Sequence, residues 1–287
     1  MLENTLFYVI FVSQIILLSH YYPKKILGKI RHVITTYPPT EYPKLYPKSI
    51  EHYEKFYRNY RLMNQFLFLL GFIILVAILL WEKSTQMQLS PMIPWAYFMI
   101  QMFPLMLLEY KEFSSFKQMK KADHRSTRQA DLRPRRLLGL ISPALLGMAV
   151  VMYIAAILFS LYIREFDFHW GSPAFMMIII ITAGNIFFAS IAMWHLYGKK
   201  IDPYQASEDR IKIIKIALKS MAYVSIGVSI FLIITQGIHD YNLGFLKPGL
   251  MSLFCQVMAV VSIGMRLRSL KETDLNFEVY KKDASAI

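Results

Sequence analysis

Charged or titratable side chains inside an apolar helix are costly, so they are the first places to look for chemistry. This sequence has few of them. His20, Glu109 and His195 each close a long apolar stretch, all on the same side of the alternating pattern described below. Two imidazoles and a carboxylate at one depth have the donor set to hold a divalent cation or relay protons. The simpler expectation is an interfacial polar set wetted by headgroups, whose members never touch.

Uncharged polar residues interrupt the apolar stretches at Gln14, Gln101, Asn185, Gln236 and Gln256. Gln101 stands one turn before Pro104, which removes a helix hydrogen bond in mid-helix. Short, proline-interrupted spans mark binding sites in transport proteins. Gln101, Pro104 and Asn185 are therefore the candidate ligand-binding residues, against the simpler reading of a packed kink without ligand.

Two loops carry alternating acids and imidazoles, Glu165-x-Asp167-x-His169 and His239-Asp240. Short exposed loops commonly look like this, and no metal site is assigned to them. In Asp202-Pro203-Tyr204-Gln205, the spacing predicts an N-cap, a first-turn proline and a capping-box partner, with Glu208 and Asp209 near the positive helix start. The sequence lacks His-Glu-x-x-His, Gly-x-Ser-x-Gly and the Gly-rich phosphate loop. No catalytic residue, metal or cofactor is assigned.

The elements that must position these residues follow from composition. Of 287 residues, 55% are apolar or aromatic and only 18% are charged, yet Lys and Arg outnumber Asp and Glu by 32 to 19, a net +13. A soluble domain with this balance would expose too much apolar surface. A helix needs about 20 apolar residues to cross a bilayer. Seven stretches come near this: residues 5–22, 65–81, 94–110, 137–163, 173–197, 213–238 and 248–265. The expected fold is all-α, a polytopic transmembrane bundle of seven spans forming one integral membrane domain over 1–287.

Cations mark one face of that bundle. Residues 23–64 and 110–136 hold nine Lys/Arg each, 198–219 hold six, and the tail 266–287 holds five, whereas the three intervening loops hold only Lys83, Arg164 and Lys247. The positive-inside rule places the basic side in the cytoplasm, the N-terminus outside and the C-terminus inside. A plasma membrane, as in a bacterial inner membrane, is the expected location. The first span has Glu3 and no cation ahead of it, and reads as an anchor instead of a cleaved signal.

Spans two, four and six start at similar spacing, and each return span opens with a proline at Pro94, Pro173 or Pro248. Three related helical hairpins plus an extra N-terminal helix would explain that regularity. Proline's ordinary preference for a first helical turn explains each proline separately. On the basic side, three Tyr-Pro steps between Thr36 and Ser49 favour an extended, polyproline-like chain. Ile50, Tyr53, Tyr57 and Tyr60 then recur with helical period, predicting an amphipathic helix at the headgroup level that feeds span two.

Arg128, Arg133, Arg135 and Arg136, with Lys212 and Lys215, are candidate contacts to anionic lipid on the cytoplasmic side. Nucleic acid is not an expected partner, because the charge lies in juxtamembrane loops. Ser252, Cys255, Ala259 and Ser262 form a small-residue stripe on span seven, suited to close approach within the bundle or to a second copy or partner protein. The expected function is a permease-like or accessory membrane component handling an apolar or amphipathic solute. The alternatives are an enzyme acting on lipid at the cytoplasmic face, through His124, Asp131, Asp202 or Glu208, and an interaction partner.

Overall fold

The computed structural model describes residues 2–85, 89–123, 135–270 and 275–282. Its regular elements are helical: α1 Leu2–Ile16, α2 Tyr22–Thr36, α3 Ile50–Thr85, α4 Met92–Ala122, α5 Leu137–Leu140, α6 Pro143–Ile163, α7 Pro173–Tyr197, α8 Ser207–Asp240, α9 Lys247–Ala259 and α10 Met265–Ser269. A π-turn over Leu17–Tyr21 joins α1 to α2, and another over Val260–Gly264 joins α9 to α10. Among the described residues seven helical stretches are long and apolar enough to span a membrane, as expected from the sequence.

The helices depart from the apolar windows where the chain gives them reason to. No proline interrupts residues 50–85, so the aromatic stretch from Ile50 to Tyr60 is not a separate helix but the continuous first part of α3. Span four is shorter than expected because Pro143 breaks it. Ser142 caps the new start, its Oγ accepting from the Leu145 N–H at 3.2 Å. Nor does α8 begin at Pro203: its N-cap is Ala206, and Asp202 instead accepts from the Tyr204 N–H at 2.9 Å, two residues on, as an Asx turn. The Tyr-Pro segment is not extended either. Turns fold it back, with the Tyr42 N–H donating to the Pro38 carbonyl at 2.9 Å, and a short 3-10 turn covers Pro43–Leu45.

Packing sorts the spans into two groups. In the first, α9 lies against α1 and α4, and α3 closes the group by packing on both of them. Its core joins Phe7, Phe11, Ile15, Ile78 and Tyr97, with the Phe11 and Tyr97 rings 5.4 Å apart edge to face. Gly71 lets α3 approach the same residues: a Cβ there would collide with the Tyr97 hydroxyl and come within 2.8 Å of Ile15. In the second group, α6 and α7 both lean on α8, which alone makes substantial contact with α9. Only 11% of the apolar window of α6, and of α7, lies buried within the chain's own fold. Val150, Val151, Ile154, Ile180, Ile186 and Phe187 face outward, the composition a lipid-facing surface requires.

On the basic side, residues 276–282 strap the two groups together. Phe277 stacks on Tyr37 at 4.1 Å between ring centres, Tyr42 donates to Glu278 at 3.2 Å, and the Lys282 N–H donates to the Glu41 carbonyl at 3.2 Å. The same strap reaches the start of α8, where Tyr280 donates to Asp202 and the Asn276 N–H donates to Asp209 at 2.8 Å. Both aspartates are buried. Burial first, and then the Asp202 carboxylate, pushes the Tyr280 hydroxyl well above the ordinary tyrosine range. The Lys281 ammonium, 2.6 Å away, holds Glu278 below the usual carboxylate range and is itself raised by that bond.

These shifts give the strap a pH window. A depressed Glu278 stabilises docking above the unfolded carboxylate value of about 4 and ceases to as pH falls through its lower folded value. Raised Lys281 and Tyr280 contribute below about 10 and cease to as pH rises through their folded values. A spin label at Val279→Cys should therefore be immobile through neutral pH and gain mobility at both extremes. Tyr280→Phe should free it at neutral pH while leaving the seven spans intact.

Candidate functional site

The interior of the first helix group holds a chain of polar side chains donated end to end. Ser252 on α9 donates to Gln14 Oε1 at 2.6 Å, and Gln14 Nε2 donates to Gln101 Oε1 at 3.1 Å and to the Pro94 carbonyl at 3.2 Å. Gln101 Nε2 donates to Ser19 at 2.8 Å. Ser19 lies 3.4 Å from the Tyr97 hydroxyl, which donates to the Leu67 carbonyl at 2.8 Å. Four spans are thereby tied by one directional run of hydrogen bonds. A parallel tie runs from Ser13 to Gln256 and from Gln256 to the Ile10 carbonyl, each at 2.9 Å. No fully buried side-chain nitrogen or oxygen lacks a partner among the described residues.

Three helical irregularities gather beside this run. The π-turn Leu17–Tyr21 contains Ser19 itself, the π-turn Val260–Gly264 faces it, and α4 carries the fully buried Pro104 one turn after Gln101. Leu18, Tyr22 and Ala259 form the contact, with Met102 and Ile263 packed around them. A π-turn shifts its carbonyls off the helix ladder, and such turns are frequent at functional sites. One shifted carbonyl, Val261, accepts from Ser220 of α8 at 3.3 Å, which fastens the second helix group to the first.

Where the irregular helices meet they leave a half-open cleft. Its walls include Leu18, Tyr22, Tyr60, Asn64, Gln101 and Met102. The enclosed part has room for about one water molecule. The cleft lies at the boundary between apolar span and basic segment. Tyr22 precedes the Lys24-Lys25 pair, and Asn64 precedes the uncharged run that starts at Gln65.

The structure distributes the residues flagged in the sequence unevenly. Gln101 and Pro104 stand in the first helix group, one in the hydrogen-bonded run and the other packed beside it. Asn185 belongs to the second group, where Nδ2 donates to the Ile181 carbonyl at 2.8 Å and Oδ1 accepts from Ser225. Glu109 pairs with Arg266 at 3.2 Å, and both charges act on His195. His20 is not with them: it faces outward with its ring 5.7 Å from that of Phe68. Spans that end at one depth need not end at one azimuth, and His20 lies within the π-turn Leu17–Tyr21.

Arg135 donates to the Leu196 carbonyl at 3.4 Å, Arg136 precedes α5, Lys212 pairs with Asp209 at 3.7 Å, and Lys215 is exposed. Arg128, Arg133, His124 and Asp131 lie outside the described residues. Asp202 is engaged by Tyr204 and Tyr280, and Asp167 pairs with His169 at 2.6 Å. Among the described residues no three His, Cys, Asp or Glu side chains converge as a metal site. Ser252, Cys255 and Ala259 of the small-residue stripe are buried inside the chain's own bundle, leaving Ser262 at the surface.

Ser19, Tyr22 and Tyr97 were not singled out by sequence reasoning. An isolated serine or tyrosine is common in apolar spans, and a π-turn has no compositional signature. No family model, curated protein or solved structure matches the chain.

Removing Gln101 tests the hydrogen-bonded run. Gln101→Leu removes one of the two acceptors of the Gln14 amide and the donor to Ser19, and should cost about 1–2 kcal/mol, the range of interhelical hydrogen bonds in membranes. A lowered thermal midpoint in detergent reads this out. Ser262→Ala, at the surface, should leave the midpoint in place.

Proposed function

We propose that this chain is a non-enzymatic, multi-pass component of the plasma membrane that handles an apolar or amphipathic molecule. Its basic loops and C-terminal tail lie in the cytoplasm and its N-terminus outside, as in a bacterial inner membrane. Three hairpins, α3 with α4, α6 with α7 and α8 with α9, build the body, and the first helix is an addition to them. The observation that carries the reading is the half-open cleft at the span boundary, walled by two π-turns and a proline-bearing helix. The interior beyond it is closed by side chains bonded to one another. An amphiphile reaching the cleft from the bilayer would keep its polar end at the basic boundary and its apolar end along Ile26, Met102 and Leu105.

Anionic lipid on the cytoplasmic side is the proposed constant partner, held by the basic loops at roughly 1 kcal/mol per cation. The sparsely buried α6–α7 pair, rather than the stripe on span seven, is the surface that supports contact with lipid or a partner span.

Filling the cleft should empty it of ligand. Purified Ile26→Trp should retain much less co-purifying lipid or other amphiphile, by extraction and mass spectrometry, than the parent. Leu69→Trp, on the exposed side of α3, should retain the parental amount. Equal retention by all three proteins would overturn the reading. For orientation, a cysteine at the exposed Phe168 should react with an impermeant maleimide from outside intact cells, and one at the exposed Ser269 only after permeabilisation.

A further inference from the structure

Tyr22 is 6% exposed, and its hydroxyl makes no hydrogen bond among the described residues. A phenol so placed normally finds a partner. Its hydroxyl is not sealed in either, since every fully buried side-chain oxygen among the described residues is satisfied. Tyr22 itself lines the cleft. The position is fixed from behind by Gly264, where a Cβ would come within 2.7 Å of that oxygen.

One turn beyond Gly264, Arg268 of α10 lies near enough for its charge to act on the Tyr22 hydroxyl. Arg268 is exposed and forms no ion pair or hydrogen bond among the described residues. Three of the neighbouring cations are engaged elsewhere. Arg266 pairs with Glu109, Lys29 donates to the Leu270 carbonyl, and Lys25 lies over the Tyr21 ring at 4.8 Å. An unused guanidinium whose charge reaches an unused hydroxyl is a donor pair for a phosphate oxygen.

We propose that the cleft binds an anionic phospholipid, its phosphate held between the Tyr22 hydroxyl and the Arg268 guanidinium. One acyl chain lies along Ile26, Met102 and Leu105. This rests on the amphiphile reading above and adds the headgroup to it. A lipid headgroup and free phosphate share the same chemistry at the mouth of the cleft. The apolar wall below Tyr22 favours the lipid.

The experiment places the full-length protein in phosphatidylcholine nanodiscs, adds phosphatidylglycerol, and measures retained lipid by native mass spectrometry. The parent should prefer phosphatidylglycerol, and Arg268→Gln should lower that preference by about fivefold or more, as for loss of a charge-assisted hydrogen bond. Tyr22→Phe should lower it as well, while phosphatidylcholine retention stays constant. Gly264→Ala, which displaces the Tyr22 hydroxyl, provides a second route if Tyr22→Phe folds poorly. Arg268 is exposed, so its replacement should leave the thermal midpoint unchanged. An undiminished preference in Arg268→Gln overturns the headgroup assignment but spares the amphiphile reading. Loss of both lipids from the parent overturns both. Displacement of phosphatidylglycerol by millimolar inorganic phosphate shows a free-anion site and overturns the lipid assignment.

Discussion

Hydrocarbon offers no water to a polar side chain, and the fold of this protein is arranged around that constraint. Gln14, Gln101 and Ser252 sit on three different spans, and each satisfies groups on the others. Because lipid tails are as apolar as leucine, burial of leucine alone gives helices little reason to prefer one another in a membrane. Directional bonds and close packing supply the preference. The run from Ser252 to the Leu67 carbonyl specifies which four helices pack together, and Gly71 and the serines let them approach closely enough to make it.

The second helix group depends on the first at few points. Ser220 takes a carbonyl that the π-turn of span seven has released, α8 lies along α9, and the strap of residues 276–282 joins the start of α8 to the segment after α2. The π-turns thus have two consequences in one place. The second π-turn offers the Val261 carbonyl to Ser220 of α8, and a residue of each, Leu18 and Ile263, lines the cleft at the basic boundary. An interior closed by its own hydrogen bonds and a cleft open at the edge support the proposed reading, in which a ligand arrives from the bilayer rather than through a central aqueous path.

Legibility in the sequence followed the strength of the physical signal. Seven spans were readable because an apolar run of bilayer length has few other uses, and Gln14 and Gln101 stood out because amides in such runs need partners. Breaks fixed by tertiary contact were harder. Pro143 moved the start of span four, and Asp202 formed an Asx turn short of the helix. Sequence position gave His20, Glu109 and His195 a common depth, whereas the neighbours each acquires, Arg266 for Glu109 and Phe68 for His20, are set by packing. The strap was invisible for a different reason. Tyr280 and Asp202 are distant in sequence, and each has an ordinary local explanation. Tyr22 carried no signal at all, since its significance lies in the partner it lacks.

The central claim is that the polar interior is closed and the boundary cleft is occupied from the bilayer. An experimental density map of the protein in nanodiscs containing phosphatidylglycerol tests it most directly. The account predicts unbroken side-chain density from Ser252 through Gln14 and Gln101 to Tyr97, with elongated lipid density beside Tyr22, Ile26 and Met102. A water-filled cavity separating Gln14 from Gln101, with the cleft at Tyr22 empty, would contradict it.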